Sequence, residues 1–448
     1  MSFFAYLLYL ALTFLRPTEL FWPDLEEYRP MLWLWLFAFL SALVSVAASQ
    51  QFAARRVNFL LLGLLVVTVG ASVAVNSSFS GALEAVSAFS TSAMLFVLTC
   101  MNLTSTRRVR IACNTILACM LACSVMGIVS YHYGWMAKDL VLQQGAENEV
   151  DVFEVNPDIV PAEDASGQFL WRVRSLGFLN DPNDFAQALV MVLPLLWRFY
   201  AKRHAIRNLL VVLAPTSVLA YTIYLTHSRG AAMGSAAMVL FAARRRLGVA
   251  KTGALALTLF LGASLVNVGS QREFSTKEES AGDRIEAWYA GLQMLKTKPI
   301  LGVGYGNFLD HHPLTAHNSA VLCFAELGII GYFLWVALLV LAFRELAQVL
   351  RRTPMNDPDW KLASALTSAL VGFLVCAWFL SRTYQPLLYL LLALCACAAW
   401  CARRDAESGS EAVSWGPPIP WVVPTLLADL AGIAAVYGFV TVSRLAGG

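Results

Sequence analysis

One histidine combines a suitable side chain with a position from which it could act on a substrate. His317 ends the stretch His311–His317, just where a long polar segment enters an apolar run. A neutral imidazole can accept a proton from a substrate hydroxyl, so His317 is a candidate general base. Asn318 follows it and could orient the ring. The position is equally compatible with a histidine that only caps the following helix.

Arg229, in the stretch Thr226–Gly230, is a cation in an energetically expensive position. The apolar run that it opens must end before Arg244, which is too short a distance to cross a bilayer unless Arg229 lies below the surface. A guanidinium buried there is expected to be functional. Gly230 and Gly234 form a G-x-x-x-G face that could press this helix against a neighbour. The alternatives are a snorkelling arginine or an internal ion pair.

Three further arginines, Arg174, Arg284 and Arg382, each lie near the start or end of an apolar element. Arginine captures phosphate oxygens in a planar, bidentate way, so several arginines at one membrane face predict a diphosphate site at the lipid–water boundary. Taken alone, Arg382 could equally cap a short turn. Arg172 is interpreted as a solvated partner of the acidic segment before it.

The sequence leaves open the roles of one further carboxylate and of one polar segment. Glu326 lies nine residues after His317 and could orient a catalytic group or pair with a cation inside a helical bundle, and the structural role is favoured. The segment Asn180–Asp184 predicts a turn and an N-cap, with Pro182 near the start of a helix. Its exposed N–H groups could equally hold an anion.

Two patterns are misleading. Pro313 breaks the helix that an i, i+4 pair of histidines in the stretch 311–317 would need, and no H-E-x-x-H pattern is present, so no metal site is predicted. The segment Gly302–Gly306 resembles a potassium-channel filter, but the helix before it is charged and the chain has too many apolar runs for a small channel subunit. Its glycines are interpreted as tight turns that lead to His317.

The composition indicates the environment of these residues. The chain has 448 residues, of which 58% are hydrophobic and only 14% are charged, against roughly 25% in soluble domains. The mean hydropathy is +0.63. These values exclude a soluble multidomain enzyme, a disordered protein and a secreted disulfide scaffold, and a net charge of +3 is too small to indicate nucleic-acid binding. The chain is predicted to be an integral membrane protein.

The apolar runs predict an all-α polytopic membrane protein with about 12–13 transmembrane helices. The first run has no basic segment before it and no clear cleavage site, so it is predicted to be a retained helix and not a signal peptide. The predicted runs are 3–15, 31–48, 57–75, 83–101, 111–135, 183–199, 208–225, 226–243, 252–268, 318–342, 362–380, 385–401 and 419–443.

The distribution of Lys and Arg predicts the orientation. With a cytoplasmic N-terminus, the short inner connections hold most of the cations, which is the positive-inside pattern. The chain then divides into N-terminal helices (1–135), a first periplasmic loop (136–182), central helices (183–268), a second periplasmic loop (269–317) and C-terminal helices (318–448).

The second loop contains an amphipathic helix. Asp283 and Glu286 resemble a capping box at its start, and Pro299 would stop it. Trp288 and Tyr289 lie on its apolar face. The helix could lie flat on the membrane surface or pack on the protein's own bundle, and the sequence does not distinguish the two.

Together these motifs resemble the O-antigen ligase / O-antigen polymerase superfamily of bacterial glycan transferases. The resemblance covers about a third of the chain, from Arg174 to Gly331. It consists of Arg174-Ser175-Leu176-Gly177-Phe178 followed by Asp181-Pro182-Asn183, then Ser228-Arg229-Gly230, then Arg284, Trp288 and Pro299-Ile300-Leu301-Gly302-Val303-Gly304, and finally His317-Asn318, Glu326-Leu327-Gly328 and Gly331.

The resemblance implies an inverting enzyme, free of metal and cofactor, that takes glycan from undecaprenyl diphosphate at the periplasmic face of the inner membrane. It makes His317 the candidate base, and Arg229 and Arg284 the candidate diphosphate ligands, with Arg174 a third. Asn318, Arg382 and Glu326 are possible supporting residues.

One departure from the family concerns the helix count, because thirteen spans would place the C-terminus outside, whereas family members typically have an even number. The run 419–443 is therefore an extra span, or two of the other runs are one.

The acceptor stays open at this stage. Lipid A–core would make the protein a ligase, which is favoured on general resemblance. The growing glycan would make it a polymerase, and a protein Ser or Thr an oligosaccharyltransferase. A transporter of the same lipid-linked glycan is the alternative from another class. It is disfavoured because the chain shows no matching halves and its polar residues gather at one face.

Overall fold

A computed structural model describes residues 2–47, 56–145, 151–152, 160–167, 169–266, 279–407 and 420–447. The described residues are mainly helical and fall into two compact units. Unit 1 is drawn from Met1–Gln50, Leu98–Val239 and Thr353–Cys376, and unit 2 from Gln51–Val97, Leu240–Arg352 and Ala377–Gly448. Each unit is therefore built from segments that are distant in sequence.

Each predicted apolar run overlaps a helix of the described chain. In chain order the helices are α1 (Ser2–Leu15), α2 (Pro17–Phe21), α3 (Pro30–Ala47), α4 (Arg56–Asn76), α5 (Phe79–Asn102), α6 (Thr106–Tyr133), α7 (Ala137–Leu140), α8 (Pro182–Leu196), α9 (Ala205–Leu225), α10 (Arg229–Val266), α11 (Glu279–Thr297), α12 (Ser319–Arg352), α13 (Pro358–Ala377), α14 (Pro386–Glu407) and α15 (Val422–Gly447). Short 3-10 turns lie at Pro23–Tyr28, Pro161–Glu163, Gly177–Leu179, Trp197–Phe199 and Phe308–Asp310.

An all-α polytopic membrane protein is confirmed. Eight helices of the described chain are long and apolar enough to cross a bilayer, namely α4, α5, α6, α9, α12, α13, α14 and α15. Helices α1 and α8, with 14 and 15 residues, are shorter than the roughly 20 residues that a span needs. The runs 226–243 and 252–268 are both contained in α10, which departs from helical geometry at Gly248.

Unit 1 places a small sheet in the first polar loop, which the sequence did not predict. Strands β1 (Val141–Gly145), β2 (Asp151–Val152) and β3 (Phe169–Val173) pair antiparallel in the order β2-β1-β3. Trp171 of β3 is buried, and its indole N–H donates to Asp164 at 2.7 Å. The sheet leads directly into the turn before α8.

Helix α12 is the centre of unit 2, because it packs against α4, α11, α14 and α15 and is buried along most of its length. Its path is interrupted at Gly328, whose φ of 64° and ψ of −165° are not helical. Candidate residues His317 and Glu326 lie before this break, so its cause bears directly on the site.

Candidate active site

The main chain of His317 has an unusual conformation. Its φ is +46°, in the left-handed region, which costs a residue with a Cβ about 1–2 kcal/mol. The residues on either side, Ala316 and Asn318, are fully buried, whereas His317 itself is half-buried. A strained residue between two buried neighbours must be held in place by its surroundings, and such positions cluster at functional sites.

Asn318 is the N-cap of α12. Its Oδ1 accepts the N–H groups of Ala320 at 2.9 Å and Val321 at 3.1 Å. The amide Nδ2 is buried and has no hydrogen-bond partner among the described residues. The amide oxygen of Asn318 is thus engaged by the helix start that it caps.

The segment on the N-terminal side of His317 is held from two directions. The indole N–H of Trp288, on α11, donates to the carbonyl of Ala316 at 2.9 Å. The hydroxyl of Thr315 donates to Ser381 at 2.8 Å. The sequence places Trp288 on the apolar face of its helix. A tryptophan buried there needs an acceptor for its indole N–H, and this need is the signal that could have indicated its second role.

On the C-terminal side, the buried residue Ser319 joins the start of α12 to the turn that carries Arg382. Its hydroxyl donates to the carbonyl of Leu380 at 2.6 Å and accepts the main-chain N–H of Arg382 at 2.9 Å. The carbonyl of Ser319 accepts the hydroxyl of Thr383 at 2.6 Å. The backbone of Arg382 is thereby bonded to the residue two positions after His317.

Arg284 lies on the same helix as Trp288, one turn earlier, and residues four apart share a helix face. It is half-buried. Unit 2 therefore brings together the helix of Arg284, the segment of His317 and the turn of Arg382.

Helix α11 packs on the protein itself. Trp288 is buried, with its ring 5.7 Å from that of Trp378 and 5.3 Å from that of Phe439 on α15. The guanidinium of Arg444 lies 3.5 Å from the ring centre of Tyr289. Of the two possibilities for this amphipathic helix, the structure shows the second. The predicted capping box is wrong, because the helix is already formed at Glu279.

The segment Gly302–Gly306 forms tight turns, as predicted, and docks onto the break in α12. The N–H of Val303 donates to the carbonyl of Ala325 at 2.9 Å, and the N–H of Gly304 donates to that of Glu326 at 3.0 Å. Just after the break, the N–H of Ile329 donates to the carbonyl of Pro299 at 2.8 Å. A Cβ on Gly302 would collide with the main chain of Glu326. The polar groups released by the break are thus satisfied by a close backbone approach.

Glu326 is buried beneath this segment. The N–H of Phe308 donates to its Oε1 at 3.3 Å. Its carboxylate also interacts with the N–H of Gly306 and with the hydroxyl of Tyr384. Its Oε2 and the Tyr384 hydroxyl are both buried. Burial raises the pKa of the Tyr384 hydroxyl, and the nearby carboxylate of Glu326 raises it further, so Tyr384 stays protonated.

Arg229 is the first residue of α10, in unit 1, and it is exposed. The residue two positions before it, His227, has a φ of +50°. The hydroxyl of Ser228 caps the helix by accepting the N–H of Ala231 at 3.3 Å. The predicted close-contact face is confirmed, because a Cβ on Gly234 would lie 2.8 Å from the carbonyl of Gly372 on α13.

Arg172 reaches the same helix start. Its Nε donates to the carbonyl of Thr226 at 3.0 Å, and its Nη2 donates to Asn183 at 2.9 Å. It therefore connects β3 with α8 and with the residues before Arg229. This connecting role was not predicted, since the sequence offers no signal for a contact between residues so far apart.

Arg174 is engaged mainly with main-chain carbonyls. Its Nε and Nη2 donate to Asp139 at 3.1 Å and Lys138 at 2.9 Å. It lines an open cavity of about 320 Å³ together with Asp181, Asp184 and other residues of the α8 start. The predicted turn and N-cap there are confirmed, because Asp181 accepts the N–H groups of Asn183 at 2.7 Å and Asp184 at 3.3 Å.

Comparison with protein families gives one match. Residues 214–336 match a family model described as O-antigen ligase. The match includes Arg229, Arg284, His317 and Glu326, whereas Arg174 lies before it and Arg382 after it. No curated protein matches the chain. The family match confirms the resemblance that the motifs predicted.

Proposed function

Because residues 214–336 carry an O-antigen ligase domain within a multi-pass membrane protein, we propose that the protein moves a glycan from undecaprenyl diphosphate to an acceptor hydroxyl. The reaction takes place at the periplasmic face of the bacterial inner membrane. The acceptor is lipid A–core. The proposal is supported most directly by His317, whose strained main chain is held between the helix of Arg284 and the turn of Arg382.

In this mechanism His317 is the general base. Its imidazole takes the proton from the acceptor hydroxyl as the oxygen attacks the anomeric carbon, and the bond from that carbon to the diphosphate oxygen breaks. The attack comes from the side opposite the leaving group, so the configuration inverts. A base positioned in this way contributes about 10²–10⁴-fold to the rate.

The diphosphate gains negative charge as it leaves, and the arginines stabilise that charge. Arg229 and Arg284 are the main ligands, because a fixed guanidinium binds phosphate oxygens in a bidentate way. Arg174 contributes least, since two of its nitrogens already bind carbonyls and the carboxylates of Asp181 and Asp184 line the same cavity. The positive charge is supplied by side chains, so we expect turnover without an added divalent cation.

The test uses the purified protein with an undecaprenyl-diphosphate oligosaccharide and lipid A–core, in the presence of a chelator. We expect wild-type protein to form the glycan-bearing product and His317→Ala to lose at least 10²-fold in rate. His311→Ala is the matched control, because this exposed histidine lies in the same segment. Full transfer by His317→Ala would overturn the assignment of the base.

Deletion of the gene distinguishes the acceptors. Accumulated long lipid-linked glycan with uncapped core supports the ligase, which is our proposal. Single-repeat surface glycan would indicate a polymerase, and an unmodified protein target would indicate protein glycosylation. If vesicles containing the protein translocate the lipid-linked glycan and transfer none, the transporter replaces all three.

A further inference from the structure

Glu326 is a carboxylate in a helix that is long and apolar enough to cross a membrane. It is only 3% exposed. Ionisable residues in such helices are costly to bury and usually mark a functional site. Its described contacts are with the segment that leads to His317 and with a tyrosine, and these contacts suggest what it does.

The first contact is with the chain before His317. The side chain accepts the N–H of Phe308 at 3.3 Å, and the main-chain carbonyl accepts the N–H of Gly304 at 3.0 Å. Both donors belong to the loop 302–310, whose first residues dock on the break in α12. One residue thus holds this loop through its backbone and its side chain.

The second contact is with Tyr384, two residues after Arg382. The Tyr384 main chain is held by Ser92, whose hydroxyl donates to its carbonyl at 2.6 Å. Its ring packs 4.5 Å from the ring of Tyr305. The hydroxyl contacts the Glu326 carboxylate, and both the hydroxyl and the Oε2 of Glu326 are buried. Two such atoms in one place are complementary, since one is a donor and the other an acceptor.

We propose that Glu326 is a positioning residue, whose carboxylate accepts the Tyr384 hydroxyl and the Phe308 N–H and so fixes the Arg382 turn relative to the loop before His317. The inference rests on the proposed transferase function. It differs from a purely structural role, because it predicts that the two groups act as a unit on the chemical step. An error of about 1 Å in such a site can cost about 10²-fold in rate.

The experiment compares Tyr384→Phe, which removes only the hydroxyl, with Glu326→Gln, which keeps the volume and leaves one acceptor oxygen for two donors. Both variants and the double variant are assayed for transfer, per amount of folded protein. We expect kcat to fall about 10- to 100-fold in each, with the KM for the lipid-linked donor changed less than about threefold. The double variant should be no slower than the slower single variant.

Glu345→Gln is the control, because it makes the same substitution on the same helix, 19 residues or about 28 Å along the chain from Glu326, and it should retain wild-type kcat. Wild-type kcat in Tyr384→Phe, or losses that multiply in the double variant, would overturn the positioning role. A loss that disappears after correction for folded protein would do the same. If wild-type protein itself transfers no glycan, the proposed function fails instead, and the two failures are thereby distinguished.

Discussion

The starts of α10 and α12 are built in the same way but present different groups. Each begins after a histidine with positive φ, His227 at +50° and His317 at +46°. Each histidine is followed by a polar N-cap. In α10 the next residue is the exposed Arg229, whereas in α12 it is the buried Ser319, which bonds the turn of Arg382.

The two starts differ in how many bonds join the residues beside the histidine to other parts of the fold. The chain at His317 is bonded through Ala316 to Trp288, through Thr315 to Ser381 and through Ser319 to the 380–383 turn. The chain at His227 is bonded through the carbonyl of Thr226 to Arg172 of β3, and the ring of His227 packs beside that of Tyr224, with centres 5.8 Å apart. The same local geometry is therefore followed by a buried serine that bonds another turn in one place and by an exposed arginine in the other.

The largest expected effect separates the two histidines. His317→Ala should reduce the transfer rate by at least 10²-fold, because it removes the base. His227→Ala keeps Arg229 and should reduce the rate less than about tenfold, since it alters only the approach to that residue. Rates are measured with the lipid-linked donor at saturation. Equal losses of transfer rate in the two variants would show that the structural difference between His317 and His227 does not affect the reaction.

The second prediction concerns Arg229, the first residue of α10. Arg229→Lys should lower kcat/KM by about 10²-fold, because an ammonium cannot bind two phosphate oxygens in a plane. Arg244→Lys, at an exposed position on the same helix, is the matched control and should leave kcat/KM unchanged. Near-normal turnover of Arg229→Lys would make Arg229 a structural residue.

A smaller effect is expected from the anchor of the His317 segment. Trp288→Phe keeps an aromatic ring against Trp378 and Phe439 but removes the N–H that holds Ala316. The lost bond leaves a buried carbonyl unsatisfied, so we expect kcat to fall roughly tenfold, while the KM for the donor stays within about twofold. Unchanged kcat would mean that the remaining bonds suffice to hold His317.

The smallest effects concern the caps, measured as changes in thermal stability of the purified protein. Asn318→Ala removes two short cap bonds and should cost about 1–2 kcal/mol. Ser228→Ala removes one long cap bond and should cost at most about 1 kcal/mol. The reverse order would contradict the view that the start of α12 is the more firmly held of the two.

Much of the candidate site could be predicted because its elements have local signals. The N-cap at Asp181, the glycine turns before His317 and the close-contact face at Gly234 each depend on residues near one another in sequence, and all three are confirmed. The arrangement around His317 could not be predicted in this way. Ser319 and Thr383 are 64 residues apart, and no pattern announces such a pair.

The sequence by itself determined the membrane environment, the helices and the candidate charged residues, because hydropathy and capping act over a few turns of chain. Tertiary structure alone decided that the residues beside His317 bond three other segments, and that the apolar face of α11 packs on the protein itself. It also decided that Glu326 lies against Tyr384. These outcomes depend on hydrogen bonds and ring contacts between distant segments, whose free energies exist only once the helices have packed together.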